Sequence, residues 1–116
     1  MPAAVQKWDE LEQRRENMFV TTPTIMELWS GIAQSSRPEQ EKKKVILILE
    51  SQTILVFDKE SAEEAGRIDG TLYKEGIPIE PEDCMIAGIA KHNRKIIVTR
   101  NIKHFGRIKD LKLEKY

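Results

Sequence analysis

A single cysteine, Cys84, is all the thiol chemistry available to the chain. It excludes an internal disulfide framework and fits a reducing compartment, the cytoplasm. Its ordinary role is that of a small buried hydrophobe. No apolar run approaches the roughly 18–20 residues that a membrane-spanning helix needs. The N-terminal stretch MPAAVQKWDELEQRR has no apolar signal-peptide core, so no membrane partner is expected. There is no Cys/His zinc spacing, no phosphate-binding glycine loop and no nucleophile elbow, which removes three common catalytic constellations. Internal repeats, low-complexity tracts and an obvious linker are also missing.

What is present fits one domain spanning residues 1–116. Apolar residues at 40% and charged residues at 33% place the chain away from the disordered and fibrous classes. Net charge is zero, but the charges are segregated. Residues 58–83 hold nine acidic and three basic side chains; residues 91–109 hold seven basic side chains, two His and no acid. The ordinary reading of each run is a solvated face. The functional reading is a basic rim that steers a polyanion toward an acidic pocket.

Along the chain, residues 3–16 read as an amphipathic helix with Ala4, Trp8 and Leu11 on one stripe. Residues 18–22, MFVTT, read as a short strand stopped by Pro23. Thr22 or Thr24 caps the following helix, TIMELWSGIAQ, whose buried face is expected to carry Ile25, Leu28, Trp29 and Ile32. The segment KKKVILILESQTILVF is ambiguous. Its β-branched runs suit a hairpin, whereas Pro38 and EQEKKK suit a helix over 38–51 leading into a strand at 53–57. Residues 61–75 predict a helix ended by Gly76, with Ala62, Ala65, Ile68, Leu72 and Tyr73 inward. Residues 81–93 predict a central helix, 96–99 a buried strand, 102–109 a short turn or helix, and 111–114 a last strand. Strands separated by helices indicate a parallel α/β sheet.

In such sheets ligands collect beyond the C-terminal strand ends. Glu27, in the first turn of the helix after strand 18–22, Asp83, at the start of the central helix, and Asn101, past strand 96–99, all reach that edge. One oxygen-rich corner of this kind suits a hard cation, Mg²⁺ or Mn²⁺. Each residue also has an ordinary explanation. Glu27 lies nearly opposite the apolar stripe and so faces water, Asp83 is stabilised by the helix dipole, and Asn101 is at home in a turn. His104, beside Phe105, is a weaker candidate for a hydrogen bond near Asn101, and His92 is weaker still.

Three blocks in order, TTPTIMELWSGI, PEDCMIAGIAKHNRKIIVTRN and NIKHFGRIKDLKLEKY, resemble the PIN domain, and within it the VapC-like toxins of toxin–antitoxin pairs. The resemblance implies a three-layer α/β/α fold around a short, mainly parallel sheet. It also implies a metal-dependent RNA endonuclease using Mg²⁺ or Mn²⁺, neutralised by a small antitoxin and assembled as a homodimer. Position by position it assigns Glu27, Asp83 and Asn101 as metal ligands and catalytic residues. It resolves the ambiguous segment in favour of a helix at 38–51. Any dimer contact is expected to use apolar surface of the early helices, away from the metal corner. The chain departs from the family pattern at its start, where a first strand ending in Asp is expected and Met1 instead opens what resembles the next helix; Asp9 lies within that helix and does not replace the Asp. Either the true start lies upstream or the first strand is lost; the second case motivates the alternative of a catalytically inactive remnant of the fold that binds protein or RNA. A third reading is an unrelated α/β interaction domain whose acids are only helix caps.

Overall fold

Thr21 decides where the first described helix begins. In the computed structural model, which describes residues 19–99 and 102–115, β1 (Phe19–Thr21) runs directly into α1 (Thr22–Gln34). The Thr21 hydroxyl accepts from Thr24 N at 3.3 Å and donates to Thr24 Oγ1 at 3.0 Å, so the cap is Thr21 rather than Thr22 or Thr24. A β-branched residue at a strand's last position can serve both elements, extended in the strand and polar at the helix start. The helix expected over residues 3–16 lies outside the described residues, as does Asn101.

The ambiguous segment is helical: α2 spans Pro38–Glu50 and β2 spans Thr53–Leu55. Pro38 occupies its first turn, with Glu39 and Glu41 at the positive end of the helix dipole. β2 pairs in parallel with β1, Val20 opposite Ile54. Beyond β2, Phe57 N donates to Thr22 Oγ1 at 3.1 Å, tying the strand's exit to the start of α1.

Asp58 caps α3 (Lys59–Lys74), its carboxylate accepting from Ser61 N at 2.9 Å. The helix ends at Gly76, which adopts φ +75° while Ile77 N reaches back to Leu72 O. That left-handed stop favours glycine because no Cβ opposes it. Ala65, Ile68 and Leu72 are buried as the periodicity predicts, and Ala62 is half-buried. Tyr73, expected inward, is 76% exposed; it follows Leu72 directly, and the rotation between neighbouring helical residues carries it off the buried stripe. In α1, Ile32 is buried, Ile25 and Leu28 are half-buried, and Trp29, expected on the buried face, is exposed. The Trp29 ring instead lies under the Lys42 ammonium of α2, 5.8 Å from its centroid.

The centre of the molecule is α4 (Pro81–His92) packed on α3. Ala87, Ile89 and Ala90 are fully buried, and Gly88 allows the two helices to touch backbone to backbone. A Cβ at Gly88 would lie 2.6 Å from Ser61 O and 2.8 Å from the Ala65 Cβ. After α4 come β3 (Ile97–Thr99), the single-turn α5 (Ile102–Phe105) and β4 (Leu113–Lys115), which pairs in parallel with β3, Ile97 opposite Leu113. Ile97, Phe105 and Ile108 join Ile68, Leu72, Ile79 and Cys84 in one core, against which Phe19, Ile86, Leu111 and Leu113 pack. The architecture is therefore α/β with short parallel strands. Among the described residues these form two pairs, β1–β2 and β3–β4, in separate ladders of three residues per strand. No helix of the described residues is long and apolar enough to cross a membrane.

Candidate metal centre

Two chain segments build an acidic corner. Pro81 starts α4, and Glu82 and Asp83 follow in its first turn, at the end where the helix dipole favours negative charge. Glu27 comes from α1; because that helix begins at Thr22, Glu27 stands in its second turn rather than its first. The Glu27 carboxylate meets Glu82 within hydrogen-bonding reach and adds its charge to the field at Asp83. Glu27 is exposed along its length, so facing water and joining the acidic corner are compatible for this residue.

The electrostatics show what the crowding does. Glu82 is pushed up to about 7, first by sharing a hydrogen bond with Glu27, then by burial and by the charges of Glu27 and Asp83. Asp83 is also raised, chiefly by burial and further by Glu27 and Glu80, while the His104 imidazole opposes the shift. His104 reaches the corner from α5, with Nδ1 3.6 Å from Asp83 Oδ2. That is too long for a hydrogen bond, and among the described residues Nδ1 has no hydrogen-bond partner.

The donor set fits a hard cation. Glu82 Oε1 is buried, and no N–H or O–H of the described residues donates to it. A buried carboxylate oxygen without a donor is costly, and a cation shared with Glu27 and Asp83 relieves both that deficit and the mutual repulsion. Two of the three expected ligands, Glu27 and Asp83, are thus close enough for the charge of Glu27 to raise Asp83. The third, Asn101, lies outside the described residues. Glu82 was not among the expected ligands, although its position next to Asp83 in PED was a visible signal. His104 approaches Asp83; its expected place near Asn101 lies outside the described residues.

The basic segment is less free than its composition suggests. Lys91 pairs with Glu64 at 3.1 Å, and Arg107 donates to Pro78 O at 2.9 Å. Both line a cleft with Arg67 and Lys109, between α3 and the turn after α5. Lys103, in α5 next to His104, is exposed.

Compared with known families, residues 2–111 match the PIN domain. The chain is 34% identical over 113 residues to the tRNA(fMet)-specific endonuclease VapC of Shigella flexneri, covering 97% of this chain and 84% of that protein. It is 29% identical over 107 residues to ribonuclease VapC2 of Rickettsia felis, covering 92% and 80%. Among solved structures it superimposes on VapBC2 of Rickettsia felis bound to a promoter DNA fragment with a TM-score of 0.88, at 28% identity over 94% of this chain and 84% of that one. For DNA-bound VapBC of Salmonella typhimurium the TM-score is 0.86, at 30% identity over 92% and 81%.

Proposed function

The chain belongs to the PIN domain family as a VapC-type ribonuclease toxin of a VapBC toxin–antitoxin system, and from that premise we propose that Glu27, Asp83 and Asn101, joined by Glu82, hold the Mg²⁺ or Mn²⁺ with which it cuts RNA. The observation that carries this reading is the meeting of Glu27 from α1 with Glu82, beside Asp83 on α4, around a carboxylate oxygen that has no donor among the described residues. PIN nucleases are metal-dependent, and a bound Mg²⁺ or Mn²⁺ supplies water activation and offsets the charge that develops on the phosphate. The chain's own part is to hold three carboxylates at the positive end of α4, where the helix dipole keeps them together until the ion binds. Exposed Lys103 draws the RNA backbone to this corner.

The reading extends to the rest of the molecule. One domain over residues 1–116 adopts a three-layer α/β/α arrangement around a mainly parallel sheet. It works in the cytoplasm as a homodimer, held inactive by a small antitoxin; the similar proteins of Rickettsia felis and Salmonella typhimurium are VapBC assemblies.

The test is cleavage of RNA with Mg²⁺ and with Mn²⁺, using tRNA(fMet), the substrate of the Shigella flexneri relative, beside unrelated RNAs. Asp83→Asn is expected to lower the rate by at least about 100-fold, the scale for losing one charge-stabilising group at a reacting centre. Calorimetric Mn²⁺ titration gives the parallel readout, with binding in the native chain and a much weaker isotherm in Asp83→Asn. Equal cleavage by both proteins removes Asp83 from the mechanism. Absence of both Mn²⁺ binding and cleavage identifies a catalytically inactive binding module instead.

A further inference from the structure

The α3–α4 contact builds a second constellation at the opposite end of α4 from Asp83. Asp58, the cap of α3, Glu60 in its first turn and His92, the last residue of α4, each offer a ligand atom, and these atoms all lie within 4.8 Å of one another. The cause is the close approach at Gly88, where α4 meets the Ser61 and Ala65 backbone directly. His92 stands one helical turn beyond Gly88 on the same side of α4, so the approach carries it onto the start of α3. Nine helical residues separate it from Asp83, a rise of about 13 Å at 1.5 Å per residue. The two corners are therefore separate sites.

A second observation points into this corner. Ser61 is completely buried, and among the described residues its hydroxyl has no hydrogen bond of good geometry, although it reaches far enough toward the Asp58 carboxyl to influence it. That hydroxyl lies beside the Asp58 carboxyl and, with the Ser61 N–H and the His92 imidazole, holds it below the usual carboxylate range. One Asp58 oxygen is oriented by Ser61 N at 2.9 Å, and an oxygen of the same carboxylate lies within 4.8 Å of ligand atoms of Glu60 and His92. The donor chemistry differs from that of the first corner. Three carboxylates suit Mg²⁺ or Mn²⁺, whereas an imidazole with two carboxylates suits a borderline first-row ion and gives Mg²⁺ little advantage.

We propose that Asp58, Glu60 and His92 form a second cation site, selective for Zn²⁺ over Mg²⁺, that fastens the start of α3 to the end of α4. This site stands independently of the ribonuclease reading, since none of its residues belongs to the first corner.

The experiment uses the untagged full chain. Its sequence holds only two histidines, His92 and His104, so their imidazole proton resonances are separable and assignable with His92→Gln. Zn²⁺ is titrated into the native protein and into Asp83→Asn, which disables the first corner. In both, the His92 resonances are expected to shift saturably with one equivalent, while Mg²⁺ at the same concentrations leaves them in place. Asp58→Asn keeps the helix cap, because Asn and Asp cap equally well, and Glu60→Gln changes only an exposed side chain. Each is expected to weaken the Zn²⁺-dependent shift by at least about tenfold, since loss even of a group that supports a metal ligand costs about 10–100-fold. Thermal unfolding in the Asp83→Asn background gives an independent readout: Zn²⁺ raises the Tm, and further substitution His92→Gln abolishes the rise. His92 resonances unmoved by Zn²⁺ overturn the proposal. So does a shift of undiminished affinity in the Asp58→Asn/Glu60→Gln double variant.

Discussion

Glu82 makes the acidic corner sensitive to pH even without an ion. Its folded-state pKa, pushed up to about 7, stands above the ordinary value of 4.5 that it regains on unfolding. The folded protein therefore binds more protons than the unfolded chain between those values. The stabilisation this gives is complete below about 4.5 and is lost as pH rises through about 7. The Tm of the metal-free protein is thus expected to carry a contribution that falls between pH 5 and 8. Glu82→Gln, which keeps the shape and removes the charge, flattens that contribution and raises the metal-free Tm at pH 8. A gain of about 1 kcal/mol reads as roughly 4–8 °C in a domain near this size. Mn²⁺ stabilises the native chain more at pH 8 than at pH 5, because at the lower pH it competes with the proton on Glu82. Thermal unfolding at the two pH values, with and without Mn²⁺, checks both expectations; a Glu82→Gln slope equal to that of the native chain contradicts them. Cys84 behaves oppositely in function, its thiol pushed up to about 11 by burial and by Asp69. It is expected to resist iodoacetamide at pH 8 until the protein unfolds. At this scale the sequence displayed the adjacent pair Glu82-Asp83 but not their shared pocket. Successive helical residues point about 100° apart, and only the approach of Glu27 on another helix turns both toward one centre.

The α3–α4 crossing is the element-scale feature on which the second corner depends. With Ser61 O 2.6 Å from where a Gly88 Cβ would sit, Gly88→Ala forces two backbones apart. Overpacking of a tight interior contact costs about 1–3 kcal/mol, and urea unfolding is expected to show a loss on that scale. A Gly88→Ala protein of unchanged midpoint would mean that the helices slide apart freely. Helix identities and most boundaries were legible because apolar spacing and caps are local properties. The stop at Gly76 and the starts at Pro38 and Pro81 follow from single-residue backbone chemistry. Helix α2 was not legible from its own residues. Its VILIL run has strand-like propensity, and only the resemblance of neighbouring blocks assigned it correctly. Trp29 was misplaced for a related reason. Periodicity identifies an apolar stripe, but which part of the stripe is covered depends on the element that packs there.

At the scale of the whole molecule, α1 and α2 leave a concentration of apolar surface uncovered. Met26 is 66% exposed, Leu47 68% and Ile48 52%, with Trp29 and Ile46 beside them on the same two helices. Isolated exposed apolar residues are ordinary, but several large ones on two packed neighbouring helices suit an interaction surface. Helix α2 buries only Val45 from its VILIL run, so its own fold does not account for the remainder. We assign this face to the proposed homodimer, as expected for apolar early helices, and leave the acidic corner open to RNA. The consequence is a clean separation of effects. Leu47→Glu places a charge on the most exposed of these apolar residues, where burial without a partner is strongly unfavourable, and is expected to convert dimer to monomer in light scattering coupled to size exclusion. The substitution touches neither Glu82 nor Asp83, so Mn²⁺ affinity per chain stays unchanged. Asp83→Asn gives the reverse pattern, losing Mn²⁺ while remaining dimeric. A dimer that survives Leu47→Glu and dissociates on Asp83→Asn would move the interface onto the acidic corner itself. Assembly would then compete with RNA for the carboxylates, because a corner sealed between two chains leaves the phosphate no approach to them.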